Sequence, residues 1–256
     1  MNKLIGFVFF MVVVCFHMGW AAEGLTALEV VQKVFDREDG DDSYSLVEMV
    51  LVDKNGNERK RILDVYTKDF GEKIKTFLEF NEPADIKGTR FLSWENEGKD
   101  DTQYLYLPAL GRSRRIVSSQ KNVRFVNTDF TYEDMQRRKP EKDEHFLLKE
   151  DNYYGYPCYL VESIPEKGSS QYSKWVTWVD KTCYVVLAVD FYNKKGENFK
   201  KFKVKSMKRI QGIWTSMETN MEDFKEKHKT FMKNIDVKYN QGIEDEKFSL
   251  RAIESN

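Results

Sequence analysis

The sequence predicts a mainly β fold in which one large antiparallel sheet curls into a barrel or half-barrel. Strand-like runs follow one another along almost the whole chain with hairpin turns between them. Only two short segments break the series with helical character, too few for the alternating pattern of an α/β protein. Several runs are apolar on both alternating faces, whereas a sheet with one face in water alternates cleanly. Curling is the usual way for so long a sheet to manage its edges.

At the N-terminus, Met1 to Lys3 is short and positive, Leu4 to Met18 is apolar apart from His17, and Gly19-Trp20-Ala21 offers a small-x-small cleavage signal. We expect a secretory signal peptide over residues 1–21, cleaved after Ala21 or Ala22, and one β domain over residues 22–256 in the periplasm. The apolar run falls short of the roughly 20 residues a membrane span needs. Cleavage removes one lysine and no acid, leaving 40 basic against 42 acidic residues. That balance argues against a nucleic-acid binder, which would be basic overall.

Residues 25–35 predict a helix, with Leu28, Val31, Val34 and Phe35 at helical spacing and Thr26 and Glu29 as a capping box. The acidic turn at 36–42 resembles a calcium loop only superficially. Setting Gly40 at the sixth position puts Phe35 first and Leu46 twelfth, where acids are required. Residues 44–52 and 59–67 flank Asn55-Gly56, a strong hairpin signal, and 72–80 continues the meander. Shorter strands are expected at 88–95, 103–107, 114–118 and 123–126, then a second small helix over 129–137. Long strands follow at 145–149, 157–163, 172–179, 185–192, 199–209, 214–221 and 229–239.

Residues 104–135 are the most informative stretch. Tyr104, Leu105, Tyr106 and Leu107 form a strand with two apolar faces, followed by a turn and a basic knot of Arg112, Arg114 and Arg115. Such a segment suits a sheet covered on one side and holding something apolar on the other. We expect Leu105, Leu107, Phe125, Phe130, Trp175 and Trp178 to face an apolar cavity, since they lie in the doubly apolar runs. The arginines form either a solvated rim or a docking surface for phosphate-bearing membranes or a partner, because guanidinium bonds phosphate bidentately. Arg114 could instead turn inward against a buried acid such as Glu95.

Catalytic signatures are missing from the sequence. It has no GxSxG, HExxH, P-loop, GxGxxG or CxxC motif, and His145 and His228 have no partner motif beside them. His228 reads as a solvated hairpin tip. We expect no enzyme, no cofactor and no metal site. Beyond the leader, Cys158 and Cys183 form an even pair, which leaves a disulfide open.

The run 104–135 resembles the outer-membrane lipoprotein-sorting proteins, the LolA-like periplasmic carriers, in the branch often associated with large envelope transporters. The resemblance extends through Glu82-Pro83, Lys87-Gly88-Thr89, residues 91–96, Gly155-Tyr156-Pro157-Cys158-Tyr159, Gly212-Ile213-Trp214-Thr215 and the closing Tyr239-Asn240-Gln241-Gly242-Ile243. It implies a half-open antiparallel β-barrel wrapped over a few helices, as in LolA and LolB, with an apolar cavity that shelters acyl chains and no catalytic residues. On that reading the protein is a non-catalytic, monomeric carrier for lipid or an acylated lipoprotein, with an inner-membrane transporter or outer-membrane acceptor as partner. The alternative is an accessory subunit that docks on an RND-type transporter, its cavity filled by its own side chains.

Overall fold

The computed structural model describes residues 24–255, so the signal peptide expected at 1–21 lies outside the described residues. Helix α1 (Ala27–Phe35) opens with the expected capping box. The Glu29 amide donates to Thr26 Oγ1 at 3.3 Å, and the Thr26 amide donates to Glu29 Oε2 at 2.7 Å.

Thirteen antiparallel strands follow. The first six are β1 (Asp42–Val52), β2 (Glu58–Phe70), β3 (Lys73–Glu82), β4 (Arg90–Trp94), β5 (Thr102–Leu107) and β6 (Arg112–Ile116). The other seven are β7 (Asp143–Tyr153), β8 (Tyr156–Pro165), β9 (Lys174–Asp180), β10 (Val186–Tyr192), β11 (Asn198–Ile210), β12 (Ile213–Asp223) and β13 (His228–Tyr239). Helix α2 (Leu250–Glu254) lies near the C-terminus.

Each half is a simple meander, and the two join where β1 pairs with β13, from Ser43 opposite Tyr239 to Val52 opposite Lys229. The resulting order runs from β6 inward to β1, across to β13, and outward to β7. The sheet is a curled half-barrel that does not close: β6 and β7 are its two edges. At the first hairpin, Asp53 Oδ1 accepts from the amides of Asn55 at 2.8 Å and Asn57 at 2.9 Å. Gly56 supplies the positive φ of 83° that this tight turn needs.

Residues 117–142 run from one edge to the other as a strap over the inner face. The strap buries Phe125 and Tyr132 against Val47, Met49, Leu63, Phe80, Phe91 and Leu105 of the first half. Phe91 and Phe125 meet edge to face with centroids 5.0 Å apart. The outer face of the same strands is apolar too, at Phe77, Leu92 and Tyr106, and the C-terminal segment covers it with Phe248 and Ile253. Two covers, one on each side, explain why these strands are greasy on both faces.

Two expected elements are absent. Residues 129–137 form turns rather than a helix, and 123–126 form a 3₁₀ turn with one bridge, Arg124 to Thr131, rather than a strand. Local side chains take backbone donors and acceptors alike. Asp134 Oδ2 accepts from the Thr131 amide at 2.6 Å, and Thr128 Oγ1 donates to the Phe125 carbonyl at 2.7 Å.

Candidate apolar cavity and its rim

In the second half the strap stands away from the sheet, leaving a cavity of about 460 Å³. Strand β9 presents Trp175, Thr177 and Val179 to it, alternate residues of one face. Strand β10 adds Val186, Val189 and Phe191, while Phe202 and Met221 come from β11 and β12. Val31 and Val34 of α1 and Phe130 of the strap complete the apolar wall. Helix α1 is held there because Ala27 and Val30 bury against Val161 and Val179.

Polar groups cluster on the β7 side. His145 has both ring nitrogens engaged, Nδ1 at 2.8 Å from Ser163 Oγ and Nε2 at 2.8 Å from the Pro140 carbonyl. The Arg138 guanidinium grips Asp143 in a two-point pair, with Nε donating to Oδ2 at 2.6 Å. Beneath the strap, Lys200 Nζ donates to Asp134 Oδ2 at 2.5 Å and to the Tyr172 hydroxyl at 2.8 Å. That hydroxyl donates in turn to Asp134 Oδ1 at 2.7 Å. Burial, with the Asp134 charge alongside, pushes the Tyr172 hydroxyl well above its ordinary range.

A second buried group pins the strap nearer the seam. Asp129 Oδ2 accepts from Thr230 Oγ1 and lies against His228 Nδ1, both at 2.7 Å. His228 is therefore no solvated hairpin tip. It is the first residue of β13, turned under the strap because Asp129 needs a partner where water is excluded.

The expected cavity residues divide. Trp175 and Phe130 line the cavity. Leu105, Leu107 and Phe125 pack in the filled inner core of the first half, where the strap leaves no space. Trp178 faces outward beside Tyr153 and Cys158. It stands three residues from Trp175, and an odd spacing in a strand puts the two on opposite faces.

Arg112, Arg114 and Arg115 are all exposed on β6. Arg114 does not turn in to Glu95, whose partner is Arg137 at 3.7 Å. Cys158 and Cys183 are free thiols, both buried in one outer-face cluster. Burial pushes the Cys158 thiol up to about 11.

Sequence reasoning missed Lys200, Asp134 and Tyr172. In the charged run 200–205 a buried lysine reads like its solvated neighbours.

Relatives account for this architecture. A family model described as an uncharacterized protein matches residues 72–255. The crystal structure of a DUF1329 family protein from Desulfovibrio piger is 31% identical, with a TM-score of 0.85, covering 89% of this chain and 97% of its own. An outer-membrane lipoprotein-sorting protein domain from Vibrio parahaemolyticus is 30% identical, with a TM-score of 0.85, covering 90% and 98%. The chain belongs to the DUF1329 family of outer-membrane lipoprotein-sorting proteins. A LolA superfamily protein from Nitrosomonas europaea shares the same fold as this DUF1329 chain at 19% identity, with a TM-score of 0.68 over 88% and 98% of the two chains. No curated protein matches the sequence.

Proposed function

We propose that this DUF1329 protein is a non-catalytic periplasmic carrier or binding protein that holds an acyl chain of a lipid or lipoprotein in the cavity of its second half. The observation that carries the reading is the cavity itself: about 460 Å³, walled by valine, phenylalanine, tryptophan and methionine. That volume falls within the roughly 300–1,000 Å³ of ligand pockets. Each methylene taken from water contributes about 0.8 kcal/mol, so ten contribute about 8 kcal/mol before the losses of binding. His145, Ser163 and the Arg138–Asp143 pair give the head group polar neighbours at one end. The lipoprotein-sorting relative supports the same cargo class and a periplasmic location.

On this reading the protein works as a monomer, without cofactor or metal. It exchanges cargo with an inner-membrane transporter or an outer-membrane acceptor, and the arginines of β6 meet the partner or the membrane. A fluorescent fatty acid titrated into delipidated protein tests the idea. Saturable binding that a phospholipid displaces supports it, and no binding up to the solubility limit counts against it.

A second reading rests on the first half, whose inner face is filled by Phe125 and Tyr132. A docking subunit would have its cavity closed by its own side chains in this way, and on the carrier reading cargo is confined to the second half.

A further inference from the structure

We propose that the open edge of β6 is a strand-addition site for an acidic extended segment of a partner protein. The inference rests on the arginines of β6 being a docking surface, and it names what docks there.

β6 pairs with β5 alone among the described residues, so its other side offers main-chain groups to a new strand. The chain already uses one of them. Glu254 of α2 reaches round, and its Oε1 accepts from the Ser113 amide at 3.1 Å and from Ser113 Oγ at 2.5 Å. The two Ser113 hydrogen bonds hold the Glu254 carboxyl below its usual range. An amide that bonds a side chain beyond the edge points away from β5, so Ser113 opposite Tyr106 is a wide pair of the ladder. By antiparallel alternation Arg115 opposite Tyr104 is the next wide pair, and its N–H and C=O point outward as well.

Charge selects the occupant. Arg112 and Arg114 share the inner face with the buried Ile116, and Arg115 shares the outer face with Ser113. An added strand thus meets guanidinium on both of its faces, which suits acids at consecutive as well as alternate positions. Glu254 on Ser113 is the same recognition made within the chain: a carboxylate seated on the edge of a basic strand. A partner segment displaces it and extends the sheet.

The test uses the intact mature protein and two eight-residue peptides, Glu-Thr-Glu-Glu-Val-Glu-Thr-Glu and its lysine counterpart, followed by fluorescence anisotropy at low salt. The acidic peptide should bind, and the lysine peptide should not. Replacing Arg112, Arg114 and Arg115 together by alanine should weaken binding about tenfold or more, with circular dichroism unchanged. E254Q should tighten binding several-fold, because it removes the competing charge from Ser113. R115P should bind more weakly than R115A, because proline removes an outward N–H that makes no bond to β5. Amide exchange at Arg115 should slow when the peptide is added.

No binding, equal binding of both peptides, or binding indifferent to the arginines overturns the proposal. So does an arginine-dependent affinity for phosphatidylglycerol vesicles with none for the peptide, which would make the edge a membrane contact. Acyl-chain loading of the cavity is read separately by fatty-acid titration, so either idea can fail without the other.

Discussion

Lys200 Nζ lies 2.5 Å from Asp134 Oδ2, and neither side chain reaches water to more than 6% of its surface. The pair ties the strap to β11 at the wall of the cavity, with the Tyr172 hydroxyl bridging both. Removing one partner leaves a buried charge alone, which costs about 3–5 kcal/mol. Lys200→Met should therefore lower unfolding free energy by that order in urea denaturation. A loss below about 1 kcal/mol would mean that water reaches the site.

One carboxylate anchors the start of the C-terminal cover, and Lys68, Arg90 and Trp94 hold it further along. Asp42, 4% exposed, accepts from the Gln241 amide at 2.7 Å through Oδ1 and from the Ile243 amide at 2.9 Å through Oδ2. Asp42→Ala removes the acceptor of both amides and should cost about 1–3 kcal/mol, since the half-buried Ile243 amide loses its partner while that of the exposed Gln241 turns to water. Hydrogen exchange in residues 243–254 should accelerate before that of β1. Unchanged exchange there would show that Phe248 and Ile253, with the bonds from Lys68, Arg90 and Trp94, hold the cover without Asp42.

Asp101 gives a pH signature. Burial, then repulsion from Glu95, raises its carboxyl from 3.8 to about 6. The folded state therefore binds this proton more tightly than the unfolded state. Its contribution to stability is fully present below about pH 4 and is lost as pH rises to about 6. Asp101→Asn keeps the shape of the side chain and removes the charge. The variant should be more stable than wild type at pH 8, by about 1 kcal/mol, and equal to it at pH 4. Equal stability at pH 8 would contradict the shift.

The free cysteines should be silent in the native state. With its thiol pushed up to about 11, Cys158 carries almost no thiolate at pH 7.5, and both sulfurs are buried. A thiol reagent such as Ellman's should label neither residue until urea unfolds the chain, and should then label both. Native labelling of either thiol would show that the outer-face cluster opens.

Strand number, hairpin positions and the capped first helix were legible because each is a local pattern: period two, Asn55-Gly56, Thr26 with Glu29. The strap was not. Its conformation is set by Asp129, Thr131 and Asp134 bonding backbone and distant strands, and it looks helical only when read alone. Of the cavity residues, Trp175 and Phe130 were legible as large apolar side chains in greasy runs. Leu105 and Phe125 read identically, because a filled face and an empty one have the same sequence pattern. Only the path of the strap separates them: Phe125 and Tyr132 fill the first half, and nothing equivalent fills the space in front of Val189.

The account stands most directly on what occupies that space. Native mass spectrometry of the mature protein purified from the periplasm, beside Val189→Trp made the same way, reads it in one experiment. Val189 lines the cavity midway along β10 opposite Phe202, and tryptophan there takes up room an acyl chain needs while leaving the Lys200–Asp134 pair itself unaltered in sequence. The account predicts wild-type species carrying additional mass that fragments to an acyl-bearing lipid, and a folded Val189→Trp variant from which that species is lost. Wild-type protein that carries no lipid and takes none up when lipid is added, or a variant that binds it undiminished, would contradict the account.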